Sequence, residues 1–296
     1  MKQSRLTSTK CPDAYGLLFN YYEQFVSRLE KVSSPDAINC DLFYAEMHET
    51  AKQLIKANPN KALIRRSTQN VLSHCKRNMT AGRESAKILE MIRQKIEAVL
   101  EELEKSTQKI SVYTARAITH GNRILTLSYD YLVLRALLEA ERQKRRFEVL
   151  VLKTDPPGEG VEFAERLASK KIRVTIIPDS QMGICLPDVN LVLLGPERIY
   201  EEGFIHRAGA LPLALMANFL NIPVYILADT QTILFEKEIS IKFYPAEVSE
   251  VYKSKDKYIH VFNRYHEKIP FDPIYKVICE DGIFEKKEFI NWFLTE

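Results

Sequence analysis

ILTL at residues 124–127, FEVLVL at 147–152, IRVTII at 172–177 and VNLVLL at 189–194 are four short apolar runs, separated by charged segments of helical length. Runs this short and this rich in Val, Ile and Leu mark strands buried on both faces, so the spacing predicts strand, helix, strand, helix in a parallel sheet. Ligands of such sheets sit past the carboxyl ends of the strands. The loops after the four runs read Ser128-Tyr129-Asp130, Lys153-Thr154-Asp155-Pro156, Pro178-Asp179-Ser180 and Gly195-Pro196-Glu197-Arg198, and any chemistry is expected there.

Downstream, the expected helices are Asp130 to about Arg145, Val161 to Lys170, the apolar run 210–220 and Lys286 to Leu294, with further strands at Pro223–Leu227 and Tyr275–Cys279. Residues 236–268 read as irregular. Because 210–220 is apolar nearly all round, it is expected between the sheet and another layer or subunit.

Upstream, apolar residues recur at helical spacing. Asp13 can cap a helix to Lys31, a second runs from Asp41 to Lys56 and stops at Asn58-Pro59-Asn60, and a basic third spans Ala62 to Lys76. From Thr80 a stripe of Ile88, Ile92, Ile96, Val99 and Leu103 predicts a long helix, with a break near Ser106 before Gly121 ends it. The expected fold class is α/β: a helical domain over 1–120, then a Rossmann-like parallel-sheet domain over 121–296.

A chain of 296 residues, 46% hydrophobic and 27% charged, can bury a substantial core. The opening MKQSRLTSTK is polar, and no apolar stretch approaches the roughly 18 residues of a membrane span, so a cytoplasmic protein without a membrane partner is expected. Five scattered cysteines form no CxxC pair and imply no metal or redox centre. His74-Cys75 resembles a reactive pair, but helix neighbours point about 100° apart, so a structural placement is expected.

Residues 1–120 hold 19 Lys and Arg against 13 Asp and Glu. Within 51–83, Lys52, Lys56, Lys61, Arg65, Arg66, Lys76, Arg77 and Arg83 occur with no acid among them. That is either a solvated helical face or a contact surface for an acidic partner, with Lys61, Arg65, Arg66, Lys76 and Arg77 as the candidate contacts. The run lacks the interleaved aromatics of a base-stacking platform, so direct nucleic-acid binding is not expected.

No GxGxxG follows the first strand and no GxxxxGK[ST] occurs, which removes the two common phosphate cradles of parallel sheets; no cofactor is expected. His206 and Arg207 precede the apolar helix, where exposed N–H groups favour an anion. With Arg198 they are the candidate ligand-binding residues.

Six motifs in order resemble one family: ILTLSYDYLVLR (124–135), VLVLKTDP (149–156), IPDS (177–180), VLLGPERI (192–199), GFIHRAG (203–209), and FDP (271–273) with ICEDG (278–282). It is the family of the alpha, beta and delta subunits of the guanine-nucleotide exchange factor for translation initiation factor two. The resemblance covers about residues 120–284, and the same family includes methylthioribose-1-phosphate isomerase and ribose-1,5-bisphosphate isomerase, which the resemblance implies use a cysteine and an aspartate on an open-chain sugar.

The chain departs from that isomerase pattern at five places. Ser128 stands at the cysteine position, and a hydroxyl is far less acidic than a thiol of pKa about 8.5. Glu197 stands at the aspartate position, moving the carboxylate by about 1 Å, enough to cost about a hundredfold in rate. Asp155 replaces an arginine, His206-Arg207 replaces Asn-Lys, and no Arg-Gly-Ala occurs in the first third. Ser128 and Glu197 are therefore expected to be vestigial. The resemblance implies a non-catalytic regulatory subunit that binds translation initiation factor two and pairs as a homodimer through the α/β domain. The alternatives are an isomerase-like enzyme, or a sensor holding a sugar phosphate or nucleotide without converting it.

Overall fold

The computed structural model describes residues 13–31, 38–81, 84–253 and 256–295. The opening MKQSRLTSTK, Cys11, the Ser33-Ser34-Pro35 stretch and Arg83 lie outside them. The chain forms two compact units, 1–106 and 107–296, divided inside a helix ahead of the turn at Gly121.

In the first unit, α1 (Ala14–Glu30) is capped by Asp13, whose Oδ1 accepts from Gly16 N at 2.8 Å. α2 (Cys40–Ala57) starts on Asn39 and closes on Asn58, whose side-chain amide donates to Leu54 O. α3 (Ala62–Thr80) runs beyond Lys76: Thr80 ends it, its hydroxyl donating back to Lys76 O and Arg77 O, and does not open the next helix. The apolar stripes meet as expected, with Phe25 edge-on to Phe43 at 5.6 Å and the Tyr22 hydroxyl 2.9 Å from Ser67 Oγ. Cys75 lies in this core, where burial pushes its thiol up to about 12, and His74 is half-buried beside it. The pair is structural.

α4 (Ser85–Ala117) has no break at Ser106. Ser111 and Thr114 donate their hydroxyls to the carbonyls of Thr107 and Ile110 at 2.7 and 2.8 Å, so residues that read as a loop signal are accommodated inside the helix.

The second unit runs β1 (Asn122–Leu127), α5 (Tyr131–Arg142), β2 (Phe147–Leu152), α6 (Glu159–Ser169), β3 (Arg173–Ile177), the one-turn α7 (Met182–Cys185) and β4 (Leu191–Leu194). It continues through β5 (Arg198–Tyr200), β6 (Gly203–Arg207), α8 (Ala210–Phe219), β7 (Val224–Leu227), β8 (His266–Pro270), β9 (Lys276–Cys279), β10 (Gly282–Glu285) and α9 (Lys286–Thr295). A seven-stranded sheet has the order β10-β9-β7-β4-β1-β2-β3, parallel throughout except that β10 pairs antiparallel with β9. Ile124 and Leu125 lie opposite Val149 and Leu150 on one side and Leu191 and Val192 on the other, so the runs at 124–127, 147–152 and 189–194 form neighbouring inner strands, whereas the run at 172–177, expected to be buried on both faces, is the edge strand β3 with Ile176 46% exposed.

The segments Gly203–Gly209 and 236–268 hold structure that their sequence conceals. β6 and β8, with β5, form a separate antiparallel sheet in which His206 faces Glu267 and Arg207 faces His266. α8 buries Ala210, Leu213, Ala214 and Ala217, while Phe219 is 83% exposed. Among the described residues no helix is long and apolar enough to cross a membrane.

Candidate functional site

From β1 the chain adds β2 and β3 on one side, then crosses to place β4 on the other, so the order reverses between the carboxyl ends of β1 and β4. That switch point is where a ligand crevice opens in sheets of this kind. Ser128-Tyr129-Asp130 and Gly195-Pro196-Glu197 flank it.

Asp130 Oδ1 caps α5 by accepting from Val133 N at 2.7 Å. Its carboxylate lies flat on Gly195: a Cβ there would fall 2.0 Å from Asp130 Oδ2, so glycine is required. Ser128 turns into the left-handed region at φ 61°, and on the next strand Thr154 does the same at φ 57°. The two are joined by Ser128 N donating to Thr154 Oγ1 at 2.7 Å. Asp179, after β3, then accepts from Thr154 N and Asp155 N, both at 3.0 Å. Left-handed conformation in a β-branched residue is costly, so three loops brace one another at this edge.

Ser128 Oγ is buried, and its recorded partner is the Tyr129 carbonyl at 3.5 Å. Among the described residues no imidazole, amine or carboxylate is hydrogen-bonded to it, so the hydroxyl lacks the base it needs as a nucleophile or proton carrier. Glu197 is half-buried, its amide donating to Ile205 O at 2.9 Å.

The three residues expected to meet a ligand are turned inward. Arg198 is wholly buried; it donates from Nε to Leu234 O at 2.6 Å and from Nη2 to Phe235 O and Ile239 O at 2.8 and 2.7 Å. It clamps the segment after β7 and does not point into the loop where its position in sequence suggested it. His206 is buried on β6, where its Nδ1 accepts from Arg207 N at 2.8 Å. Arg207 is ion-paired through Nη2 with Glu159 Oε1, and its Nη1 lies 3.2 Å from His266 Nε2. Arginine cannot accept, so in a hydrogen bond between them the guanidinium is the donor.

The amino end of α8, expected to receive an anion, already holds one. Gly209, at φ 101°, and Leu211 both donate to Glu267 Oε1 at 2.8 Å. The edge continues at Asp229, fully buried after β7, whose Oδ1 caps the following turn, and at Glu280 after β9, which accepts from Thr230 N at 3.1 Å and whose carboxyl is raised by burial. Asp179 lies in a loop that the sequence marked for chemistry, whereas Glu159, Asp229, Glu267 and Glu280 were given no role from sequence. Asp229 and Glu280 follow strand ends directly and were within reach of the carboxyl-end rule; Glu159 and Glu267 are recognisable only once β6, β8 and α6 are assembled. No cluster among the described residues is arranged to hold a metal ion.

Of the basic run in the first unit, Lys61 is buried, Arg65 and Arg66 are half-buried, and Lys76 and Arg77 are exposed. Burial holds Arg65 below its ordinary value, and among the described residues its Nε has no hydrogen-bond partner.

A helical unit joined to a mainly parallel α/β sheet, with a small antiparallel sheet beside the carboxyl edge, defines the class. The chain matches the Initiation factor 2 subunit family over residues 26–286 and belongs to it. It is 27% identical to a translation initiation factor eIF-2B subunit 2-like protein of Pyrococcus furiosus over 195 residues, 66% of this chain and 69% of that one. It is also 24% identical to ribose 1,5-bisphosphate isomerase of Methanocaldococcus jannaschii over 265 residues, 88% of this chain and 82% of that one. In three further translation-factor relatives the matched segment spans 62%, 56% and 51% of their length. The fold is similar to that of 5-methylthioribose 1-phosphate isomerase from Pyrococcus horikoshii, with TM-score 0.76, 16% identity, and 97% of this chain and 85% of that one covered. The relatives thus include both translation-factor subunits and sugar-phosphate isomerases.

Proposed function

We propose that the chain acts by contact and not by catalysis, as a regulatory subunit of the initiation-factor-2B type that binds translation initiation factor two. One observation carries this: the positive groups expected to meet a ligand at the sheet's edge are engaged from within, Arg198 by three carbonyls on its Nε and Nη2, Arg207 by Glu159 and the amino end of α8 by Glu267. Ser128 without a base supports the same reading. The partner surface is the exposed part of α3, where Lys76 and Arg77 face solvent and Arg65 and Arg66 contribute their edges. Self-association through the α/β unit is supported by Leu215 and Phe219 on α8 and Leu220 just after it, large apolar side chains left exposed.

The test is binding of the purified chain to immobilised translation initiation factor two across a salt series. Lys76→Glu with Arg77→Glu is expected to weaken the complex by about tenfold and to flatten its salt dependence. Unchanged binding removes this surface from the account.

The match to ribose 1,5-bisphosphate isomerase over 88% of the chain favours a second reading, an aldose–ketose isomerase in which Glu197 moves the proton. NMR of the chain incubated with ribose 1,5-bisphosphate or methylthioribose 1-phosphate decides it: turnover that disappears in Glu197→Gln would replace the contact reading.

A further inference from the structure

We propose that Glu267 and Glu159 set the specificity of this site, acting as tethered anions that fill the two seats a free phosphate would take. The inference rests on the reading above and gives a physical reason for a pocket that does not take up phosphates.

Both seats lie on one stretch, His206 to Leu211. α8 is ten residues long, and Pro212 removes one donor from its first turn. Gly209 and Leu211 supply two of the donors that remain, and both are directed at Glu267 Oε1 at 2.8 Å. Converging amides at a helix start are the geometry that binds phosphate oxygens. Here β8 delivers a carboxylate to the same point, held by its pairing with β6 at His206.

The second seat is the Arg207 guanidinium. Its side chain is 13% exposed and that of Glu159 is 6% exposed, so the pair is largely out of water. Tyr265 covers Arg207, the guanidinium carbon lying 5.5 Å from the ring centre. A diffusing phosphate must displace carboxylates that the fold holds at high effective concentration, and a second negative charge beside them is repelled. Glutamine keeps the shape and an acceptor oxygen but removes the charge, so in Glu267→Gln and Glu159→Gln the tether is a weaker neutral acceptor that no longer repels an anion, and phosphate can displace it.

The experiment is thermal unfolding of the full chain and of both variants, singly and together, in potassium phosphate against potassium chloride at equal ionic strength. The unmodified chain is expected to unfold at the same temperature in both salts. Glu267→Gln should gain a saturable phosphate-specific rise and the double variant a larger one, with apparent affinity at least about tenfold tighter than in the unmodified chain. Folded variants with no such rise overturn the proposal. So does an unmodified chain stabilised by phosphate as much as the variants are. An NMR titration needs no variant: the Gly209 and Leu211 amide signals should stay fixed as phosphate is added to the unmodified chain, and their saturable displacement would refute closure. Closure and partner binding fail separately, because phosphate displacement says nothing of the initiation factor and a failed pull-down leaves the filled seats in place.

Discussion

Arg207, at the carboxyl edge of the sheet, is 13% exposed and locked to Glu159, whereas Arg93, on α4 in the helical unit, is 34% exposed and spans Glu90 and Glu97 on its own helix. Both guanidiniums are paired, yet the pairs do different work. The Arg93 pairs lie between neighbours three and four apart and fix nothing beyond the helix surface. The Arg207 pair joins β6 to the start of α6, elements 48 residues apart. Charge at the edge ties distant elements together and is used up in doing so; the Arg93 pairs stay within one helix surface.

The largest expected effect lies where that consumption is most complete. Arg198→Met should remove a buried cation from three carbonyls at once and cost about 3–5 kcal/mol, lowering the midpoint of thermal unfolding by roughly 10 °C. A variant that melts within about 2 °C of the parent would show that the clamp is replaceable by apolar packing. Next comes the switch point: Gly195→Ala is expected to cost about 1–3 kcal/mol by driving a methyl group into Asp130. Asp130→Ala alone should cost about 1 kcal/mol as a lost cap. The double variant should cost less than the sum, because removing the carboxylate relieves the clash; additivity in urea unfolding would break the coupling inferred for this contact.

How much of this could be read beforehand follows the same division. The apolar runs at 124–127 and 147–152 announced β1 and β2, because a strand buried on both faces must be apolar along its whole length. β6 carries His206 and Arg207 in GFIHR and pairs with a strand about sixty residues later, so neither its pattern nor its neighbours betrayed it. Arg198 follows a loop of Pro and Glu and read as a ligand-binding cation. Its burial depends on the carbonyls of Leu234, Phe235 and Ile239, which composition does not reveal. Ser106 read as a helix break; α4 runs through it, and further along Ser111 and Thr114 donate their hydroxyls back to carbonyls of the same helix. The location of the site was legible from the carboxyl-end rule, but the state of its charges was not.

The helical surface offers the opposite signature. Lys76→Glu with Arg77→Glu should move the unfolding free energy by less than about 0.5 kcal/mol per site, since both side chains are exposed, while costing about 1.4 kcal/mol in partner binding. A loss of stability as large as the loss of binding would show that these cations are structural, and the contrast with Arg207 would disappear.

The smallest effect is a titration. Glu139 accepts from Arg142 Nε and Nη2 at 2.8 and 2.7 Å, and these bonds hold its carboxyl below the ordinary range. A depressed carboxyl stabilises the fold at pH above its unfolded value of about 4.3 and loses that contribution as pH falls through the folded value. Arg142 is 71% exposed, so solvent screens the pair and Glu139→Gln should cost under about 1 kcal/mol at neutral pH. The difference from the parent should vanish in acid. Glu280 runs the other way: burial raises it, so its contribution is fullest in acid and declines as pH rises through the folded value. Urea unfolding of Glu139→Gln and Glu280→Gln across pH should therefore give departures from the parent of opposite slope. Departures of the same slope would mean that Glu280, at the sheet's edge, is held by its Thr230 donors more strongly than it is penalised by burial.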